Sequence, residues 1–485
     1  MKKTLMVPRR TAIAILTSII LSCFVYIIYD HVFSLIVAYL FWLIGMVFSI
    51  KKIRRRFTLF SFNIGFFVFL LGGFSINYLK LGDFSFFSNQ YFTSSLEANI
   101  HTCVCMALCM ICVNCGYFAL SAWNDNDEKK EQGEEENDGK NTIVVPGYIK
   151  QILFIILCIS YLCRIIQAVE SFYLVKAVTY YESVSYLTTL PAVVIHIGSL
   201  YFVTLFMYLA TFPSTGKTIF CVVTLLILEL ITLAAGSRGE PISIFLLIIF
   251  YIFLRNRAGI NDIVITKKMA FIGLLFLPVL MYTLQALSYT RNSVEYTESF
   301  LDGVTGFIET QGVSAKIIAN SYDLDDKIYQ MTKRRTFILG EIRYYFKSNV
   351  FTRLLTGKSV TLRTIEDAFS GDNYLRSYGY AYAPATYIRN VGAGSTYVAE
   401  AFYDGGYLLL MLMNLLISYL LAKIDGASVH NFITCAILMN VFRYMPTLAR
   451  GMMLDWLTNT FAIQNLIYFL FVYLLCQHVN NKRGS

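Results

Sequence analysis

The chain alternates between long apolar runs and short polar or basic breaks. Twelve runs can be placed, at roughly 11–29, 32–50, 57–76, 98–122, 149–169, 187–211, 217–235, 241–254, 269–288, 405–422, 431–449 and 456–476. An α-helix rises 1.5 Å per residue, so about 20 apolar residues cross the ~30 Å of a bilayer's hydrocarbon. Backbone groups in lipid find no water, so runs of this length become helices. A transmembrane barrel would instead show alternating segments of about ten residues, and the chain has none. The pattern predicts an all-α, polytopic integral membrane protein with about 12 transmembrane helices. Composition agrees: of 485 residues, 56% are hydrophobic and 15% charged, far from the profile of a soluble domain. Lys2, Lys3, Arg9 and Arg10 precede the first run in the manner of a secretion signal. No small-residue cleavage site follows and a second run begins at once, so the first run reads as a retained span.

Lys and Arg in short loops set orientation. One set of loops holds Lys51, Lys52, Arg54, Arg55, Arg56, Arg255, Arg257, Lys267, Lys268, Lys423, Lys482 and Arg483; the opposite set holds scattered cations such as Lys80 and Lys176. This places both termini in the cytoplasm, together with the acidic loop 124–148, which reads as solvated and without chemistry. The chain then divides into nine spans over 1–288, an extracytoplasmic loop domain over 289–404 and three spans over 405–485. A loop of more than 100 residues needs its own structure or a function. Helical patterns appear at Ser299–Ser321 and Arg334–Leu355, and Tyr374–Tyr387 is rich in tyrosine. Tyrosine suits both sugar stacking and ordinary packing, and the sequence does not choose between them.

Ionisable residues within spans are costly and are candidates for function. Arg238 stands in the turn Gly236-Ser237-Arg238-Gly239-Glu240-Pro241, at the expected outer end of the seventh span. Arg443 and Arg450 stand seven residues apart in the eleventh span, two helical turns that put them on one face; Pro446 between them is a kink site. Arg164 lies near the outer end of the fifth span, and Glu229 lies mid-span, where it needs a partner such as an arginine or His196. Arginine stays charged when desolvated and holds phosphate bidentately, so these cations suggest an anionic lipid headgroup, a pyrophosphate above all. The segment Asn390–Tyr407 adds a glycine turn, Ser395 as an expected N-cap, and Glu400 and Asp404 four apart on one face. A carboxylate there suits a general base or a contact to a sugar hydroxyl. Cys103, Cys105, Cys109, Cys112 and Cys115 crowd one span without His or carboxylate companions, so they read as buried small hydrophobes and no metal site is expected. No nucleotide-binding loop is present.

These motifs resemble the Wzy family of O-antigen or oligosaccharide repeat-unit polymerases. The resemblance is carried by the Gly236–Gly239 turn, the large late loop, the Ser395, Ala399, Glu400 and Gly405 pattern before the next span, and Arg450 near the outer end of a late span. It implies a GT-C-type lipid-sugar glycosyltransferase of the bacterial inner membrane, working at its periplasmic face on undecaprenyl-diphosphate-linked oligosaccharides. It further implies metal-independent, inverting transfer with no cofactor, membrane lipids as surroundings, a chain-length regulator as a partner, and no nucleic acid. On that likeness Arg238, Arg450 and Glu400 are the expected catalytic residues. Arg443, Arg164, Arg291, Ser395, Tyr403 and Asp404 are expected to contact diphosphate or sugar. Asp323-Leu324-Asp325-Asp326 looks like a nucleotide-sugar signature but reads as a solvated acidic turn. His101 is the best-placed histidine. An O-antigen ligase and a lipid-linked oligosaccharide flippase are the alternatives; the large loop weighs against a flippase.

Overall fold

The computed structural model describes residues 9–82, 94–131, 145–177, 189–235, 239–290, 296–333, 335–348, 364–389, 392–427, 429 and 431–484. Among them every regular element is helical. The first half comprises α1 (Arg9–Ile28), α2 (His31–Lys51), α3 (Phe57–Phe66), which continues through a π turn (Phe67–Leu71) into α4 (Gly72–Leu81), α5 (Leu96–Glu131), α6 (Gly147–Ala177), α7 (Ala192–Ser199), α8 (Tyr201–Leu209), α9 (Thr215–Ala234), α10 (Gly239–Arg257) and α11 (Lys267–Thr290). Short helices follow: α12 (Phe300–Gln311), α13 (Val313–Asp323), α14 (Asp325–Thr332), α15 (Phe337–Ser348), α16 (Ile365–Phe369), α17 (Tyr374–Tyr382) and α18 (Pro384–Ile388). The last part holds α19 (Tyr397–Asp425), α20 (Phe432–Phe442), a 3-10 turn (Met445–Arg450), α21 (Asp455–Thr460) and α22 (Ile463–Gly484).

Each of the twelve expected spans has a helix. Among the described residues, eight helices are long and apolar enough to cross a membrane, and Ile15–Ile28, Leu275–Leu287 and Ile463–His478 are shorter apolar stretches. The eighth expected span is α10, whose ends carry Glu240, Arg255 and Arg257. The expected twelfth span is divided: α21 is a separate short helix and the apolar helix starts at Ile463.

The centre of the bundle is α5, against which α1, α2, α13 and α19 pack. Burial separates the central helices from the lipid-facing ones: 83% of the apolar stretch of α5 and 78% of that of α3–α4 are buried, against 22% for α6. Small residues let α5 approach its neighbours, as membrane helices require in place of a hydrophobic drive. A Cβ at Gly116 would lie 2.3 Å from the Ser418 hydroxyl of α19, and one at Gly45 would overlap Asn114. The cysteines serve the same packing. Cys103, Cys105, Cys109 and Cys112 are buried, Cys109 accepts from Asn414 at 3.2 Å, and among the described residues no three ligand-type side chains come together. A second group, α6 to α9, joins the core through α20 against α8.

The basic loops meet at one end. Asp425, at the end of α19, accepts from the backbone N–H and hydroxyl of Thr58, from the Leu59 N–H and from the Tyr117 hydroxyl, so it caps α3 from across the bundle. Arg257 donates to the carbonyls of Asp425 and Arg54, each at 2.8 Å. The opposite end carries α12 to α18. Gly312 holds this layer against α4; its Cβ position lies 3.0 Å from Gly73 Cα. Tyr374, Tyr378 and Tyr387 are buried, and Tyr374 stacks on Tyr378 with ring centres 6.0 Å apart, so this part of the tyrosine-rich segment is packing. Ion pairs fasten it, Arg376 to Asp367 at 2.6 Å and Arg343 to Asp372 at 2.9 Å.

Candidate functional site

Three departures from regular helix meet near the loop-bearing end. The π turn interrupts α3–α4, α19 breaks at Gly405–Gly406, where Gly406 takes a positive φ of 63°, and α20 gives way to the 3-10 turn. Pro446, in that turn, cannot continue the backbone ladder of α20. The turn sits against α3 so closely that a Cβ on Gly65 would lie 1.7 Å from the Pro446 carbonyl oxygen. The aligned pair expected from a continuous helix is therefore not formed. Arg443 ends α20 and Arg450 ends the 3-10 turn, and their side chains meet different elements.

Arg450 is exposed. Its Nη1 donates to Gln311 Oε1 at the end of α12, and its guanidinium lies 5.8 Å from the ring centre of Phe69 in the π turn. Three of the residues that follow it are held by carboxylates. Met452 N–H donates to Asp455 at 3.1 Å, Met453 N–H to Glu400 Oε2 at 2.8 Å, and Leu454 N–H to Glu341 Oε2 at 3.0 Å. Glu400 is 0% exposed and Glu341 3%. Their carboxyl groups lie close enough to act on each other's charge, and the Oε1 atom of each is buried without a hydrogen-bond partner. Carboxylates only accept, so the pair needs one shared proton. Burial first, then the charge of Glu400, hold Glu341 well above the usual carboxylate range. Burial also raises Asp455.

The segment that feeds α19 is placed as follows. Thr396, not Ser395, is the N-cap, accepting from Val398 N–H; Ser395 is buried and its hydroxyl meets no partner. Glu400 and Asp404 do face the same neighbour, α15. Asp404 accepts from the N–H groups of Phe337 and Ile338 at 2.7 and 2.8 Å, which makes it the cap of that helix. One turn further on, Glu400 meets Glu341. Tyr403 packs on Phe337 and Tyr374 and exchanges a 3.1 Å hydrogen bond with Thr332. Glu400 is buried and Asp404 and Tyr403 are half-buried, and each contacts α15 or the turn after Arg450.

A second polar cluster lies between α6, α9, α10 and α20. Arg443 pairs with Glu240 at 3.0 Å and lies 3.6 Å over the Phe202 ring. Buried Glu229 accepts from Thr232 at 3.4 Å and feels the charges of Glu240, Arg443 and Arg164. Arg164 donates to Gln167 at 3.1 Å and keeps its Nε buried without a partner. Arg443 is thus paired with a carboxylate here rather than standing as a bare anion site. His196 is exposed, and Glu229 is buried. Arg238 and Arg291 fall outside the described residues. His101 is buried among Tyr322, Phe402 and Tyr407. Asp323 caps the start of α5 through Ser95.

A family model described as O-antigen polysaccharide polymerase Wzy matches residues 11–483. The chain belongs to the Wzy family. It is accordingly a multi-pass inner-membrane protein of polysaccharide biosynthesis, a glycosyltransferase-type polymerase of lipid-linked repeat units. No curated protein and no solved structure matches it. For a Wzy protein the notable feature is the exposed Arg450 on a turn anchored by three carboxylates, two of them, Glu341 and Glu400, buried. Sequence reasoning missed two of the three, Glu341 and Asp455. Glu341 lies in an amphipathic helix of the loop region, with no local signal to link it to Glu400.

Proposed function

We propose that this polymerase transfers a growing glycan from undecaprenyl diphosphate onto the non-reducing end of an incoming lipid-linked repeat unit, with inversion, at the extracytoplasmic face. In this reading the basic end of the bundle, with both termini, is cytoplasmic. The observation that carries it is Arg450: an exposed guanidinium on a broken helix end, fixed by Gln311 and by the carboxylate-held turn behind it. Irregular backbone at membrane depth is tolerated only where protein covers it or it lines a cavity. A rigid arginine there is suited to neutralise a diphosphate as its glycosidic bond breaks. Arg238, two residues before Glu240 in the sequence, is assigned to the same diphosphate, with Arg291 as a further contact. The cluster of Arg443, Glu240, Arg164 and Glu229 lies by the start of α10, just after Arg238 in the sequence. Glu400 acts by holding the turn that carries Arg450, and Asp404, Tyr403 and Ser395 act by seating α15 and α19. A chain-length regulator would meet the loop-bearing face.

The test is genetic and direct. Deleting the gene is expected to leave lipid A core capped by a single repeat unit on a gel of surface polysaccharide. Bare core would instead indicate ligation or flipping, and an unchanged ladder would remove the chain from this pathway.

A further inference from the structure

A cleft of 560 Å³ opens at the loop-bearing end between α4, α11, α12 and α13, within the range of about 300–1,000 Å³ of small-molecule sites. Its lining includes Lys80, Gln285, Tyr289, Glu298, Glu309 and Lys316. The polar groups are held in place. Lys80 bridges to Glu309 at 2.9 Å, and Glu298 accepts from the hydroxyls of Tyr289 and Tyr296 at 3.2 and 3.3 Å. Gln285 is 3% exposed; its Nε2 donates to Thr310 at 3.3 Å while its Oε1 meets no donor. Turning the amide over would leave an N–H unmet instead, so one buried polar group lacks a partner either way. Gly306 keeps the approach to it open: a Cβ there would lie 3.2 Å from Gln285 Nε2 and 3.8 Å from Glu298.

We propose that this cleft binds saccharide, with Gln285 and Glu298 as the hydroxyl-recognising residues. The inference rests on the polymerase reading for the source of that saccharide. Three carboxylates, Glu298, Asp302 and Glu309, face two lysines across the lining, so the cleft does not favour a diphosphate. A polyol matches it, because each hydroxyl both donates to a carboxylate or amide oxygen and accepts from a lysine or amide N–H. Position agrees as well. Thr310 lines the cleft and the next residue, Gln311, holds Arg450, which puts the sugar beside the diphosphate site rather than on it.

The experiment uses the full chain in lipid nanodiscs. The probes are the lipid-free single-repeat oligosaccharide from the same cells, a fragment of several repeats, and inorganic pyrophosphate, with binding read by calorimetry. Oligosaccharide is expected to bind, with affinity about tenfold weaker in Glu298→Gln, a solvent-side change that spares folding. Gln285→Leu is expected to weaken it likewise. Tighter binding of the single repeat assigns the cleft to the incoming unit, and tighter binding of the longer fragment assigns it to the growing chain. Equal affinity in both variants and wild type, or displacement of oligosaccharide by pyrophosphate, overturns the proposal. The two readings fail separately. Deletion cells that lose polymer while the variants bind as wild type sink the cleft alone. Deletion cells that keep full polymer while Glu298→Gln loses oligosaccharide sink the polymerase reading alone.

Discussion

Replacing Glu341 separates a proton-sharing carboxyl pair from two independent acids. Glu341 Oε2 holds the Leu454 N–H, Glu400 Oε2 holds the Met453 N–H, and the two carboxyl groups lie together inside the protein, close enough for one to raise the other. Glu341→Gln reproduces the protonated acid: its carbonyl keeps Leu454 and its amide donates to Glu400. The expected change in stability is below about 1 kcal/mol. Glu341→Ala removes the acceptor for Leu454 and the donor to Glu400, each worth about 1–3 kcal/mol when buried. It also leaves the Glu400 charge without its partner. The pH dependence supplies a second handle. Because Glu341 is raised on folding, the folded state binds more protons than the unfolded state at every pH between the unfolded value of about 4.3 and the folded one. Its contribution is therefore complete below that lower value and is lost as pH rises. Thermal unfolding of the purified chain in detergent is expected to show a midpoint that falls from pH 5 to pH 8 in wild type. The fall should be shallower in Glu341→Gln, with Glu341→Ala lower than both at pH 6. If Glu341→Gln follows the wild-type slope, or is as damaging as Glu341→Ala, the pair does not share a proton and the reasoning fails.

Three other outcomes follow from the same geometry. Gly65→Val drives a side chain into the Pro446 carbonyl and is expected to cost several fold or more in folded yield and to abolish polymer, whereas normal yield and a normal ladder would show that the 3-10 turn packs elsewhere. Asp404→Asn keeps one acceptor for the start of α15 and should retain polymer, while Asp404→Ala loses a cap worth about 1–2 kcal/mol; a well-folded Asp404→Asn chain with no polymer would restore the direct sugar contact suggested by the sequence. Arg450→Lys keeps the charge but not the planar fork, so polymer synthesis from purified lipid-linked units should fall at least tenfold with unchanged thermal stability, and equal activity would make Arg450 an interfacial anchor.

The helices were legible because lipid removes alternatives: an apolar run of sufficient length has one way to satisfy its backbone, and every such run found its helix. The basic loops were legible for a similar reason, since charge bias is written locally. What failed was geometry that depends on a break. Arg443 and Arg450 line up only if α20 continues, and Pro446 signalled the break without saying where the chain would turn next. Glu400 was visible as a carboxylate at a helix start, but its burial depended on α15 and on the turn after Arg450, both distant in the chain. The tyrosine-rich segment shows the same limit. Composition allowed sugar stacking, and three of its rings are instead the packing of α16 to α18.

The breaks themselves argue for where the chemistry lies. A polytopic bundle has little reason to interrupt three helices at one place, because each interruption frees backbone groups that lipid cannot satisfy. Here the π turn, the Gly405–Gly406 break and the 3-10 turn are tied to one another. Phe69 of the first lies under Arg450 of the third, and Glu400, one turn before the second, holds the Met453 N–H just after the third. Carboxylates take up the N–H groups of Met452, Met453 and Leu454, so backbone that lipid would penalise is satisfied inside the protein. Such an arrangement is retained at a site that must present a fixed charge to a polar group at the membrane surface. A merely structural junction would be served as well by an unbroken helix, which is why we propose Arg450, on this carboxylate-held turn, as the cation that meets the lipid diphosphate.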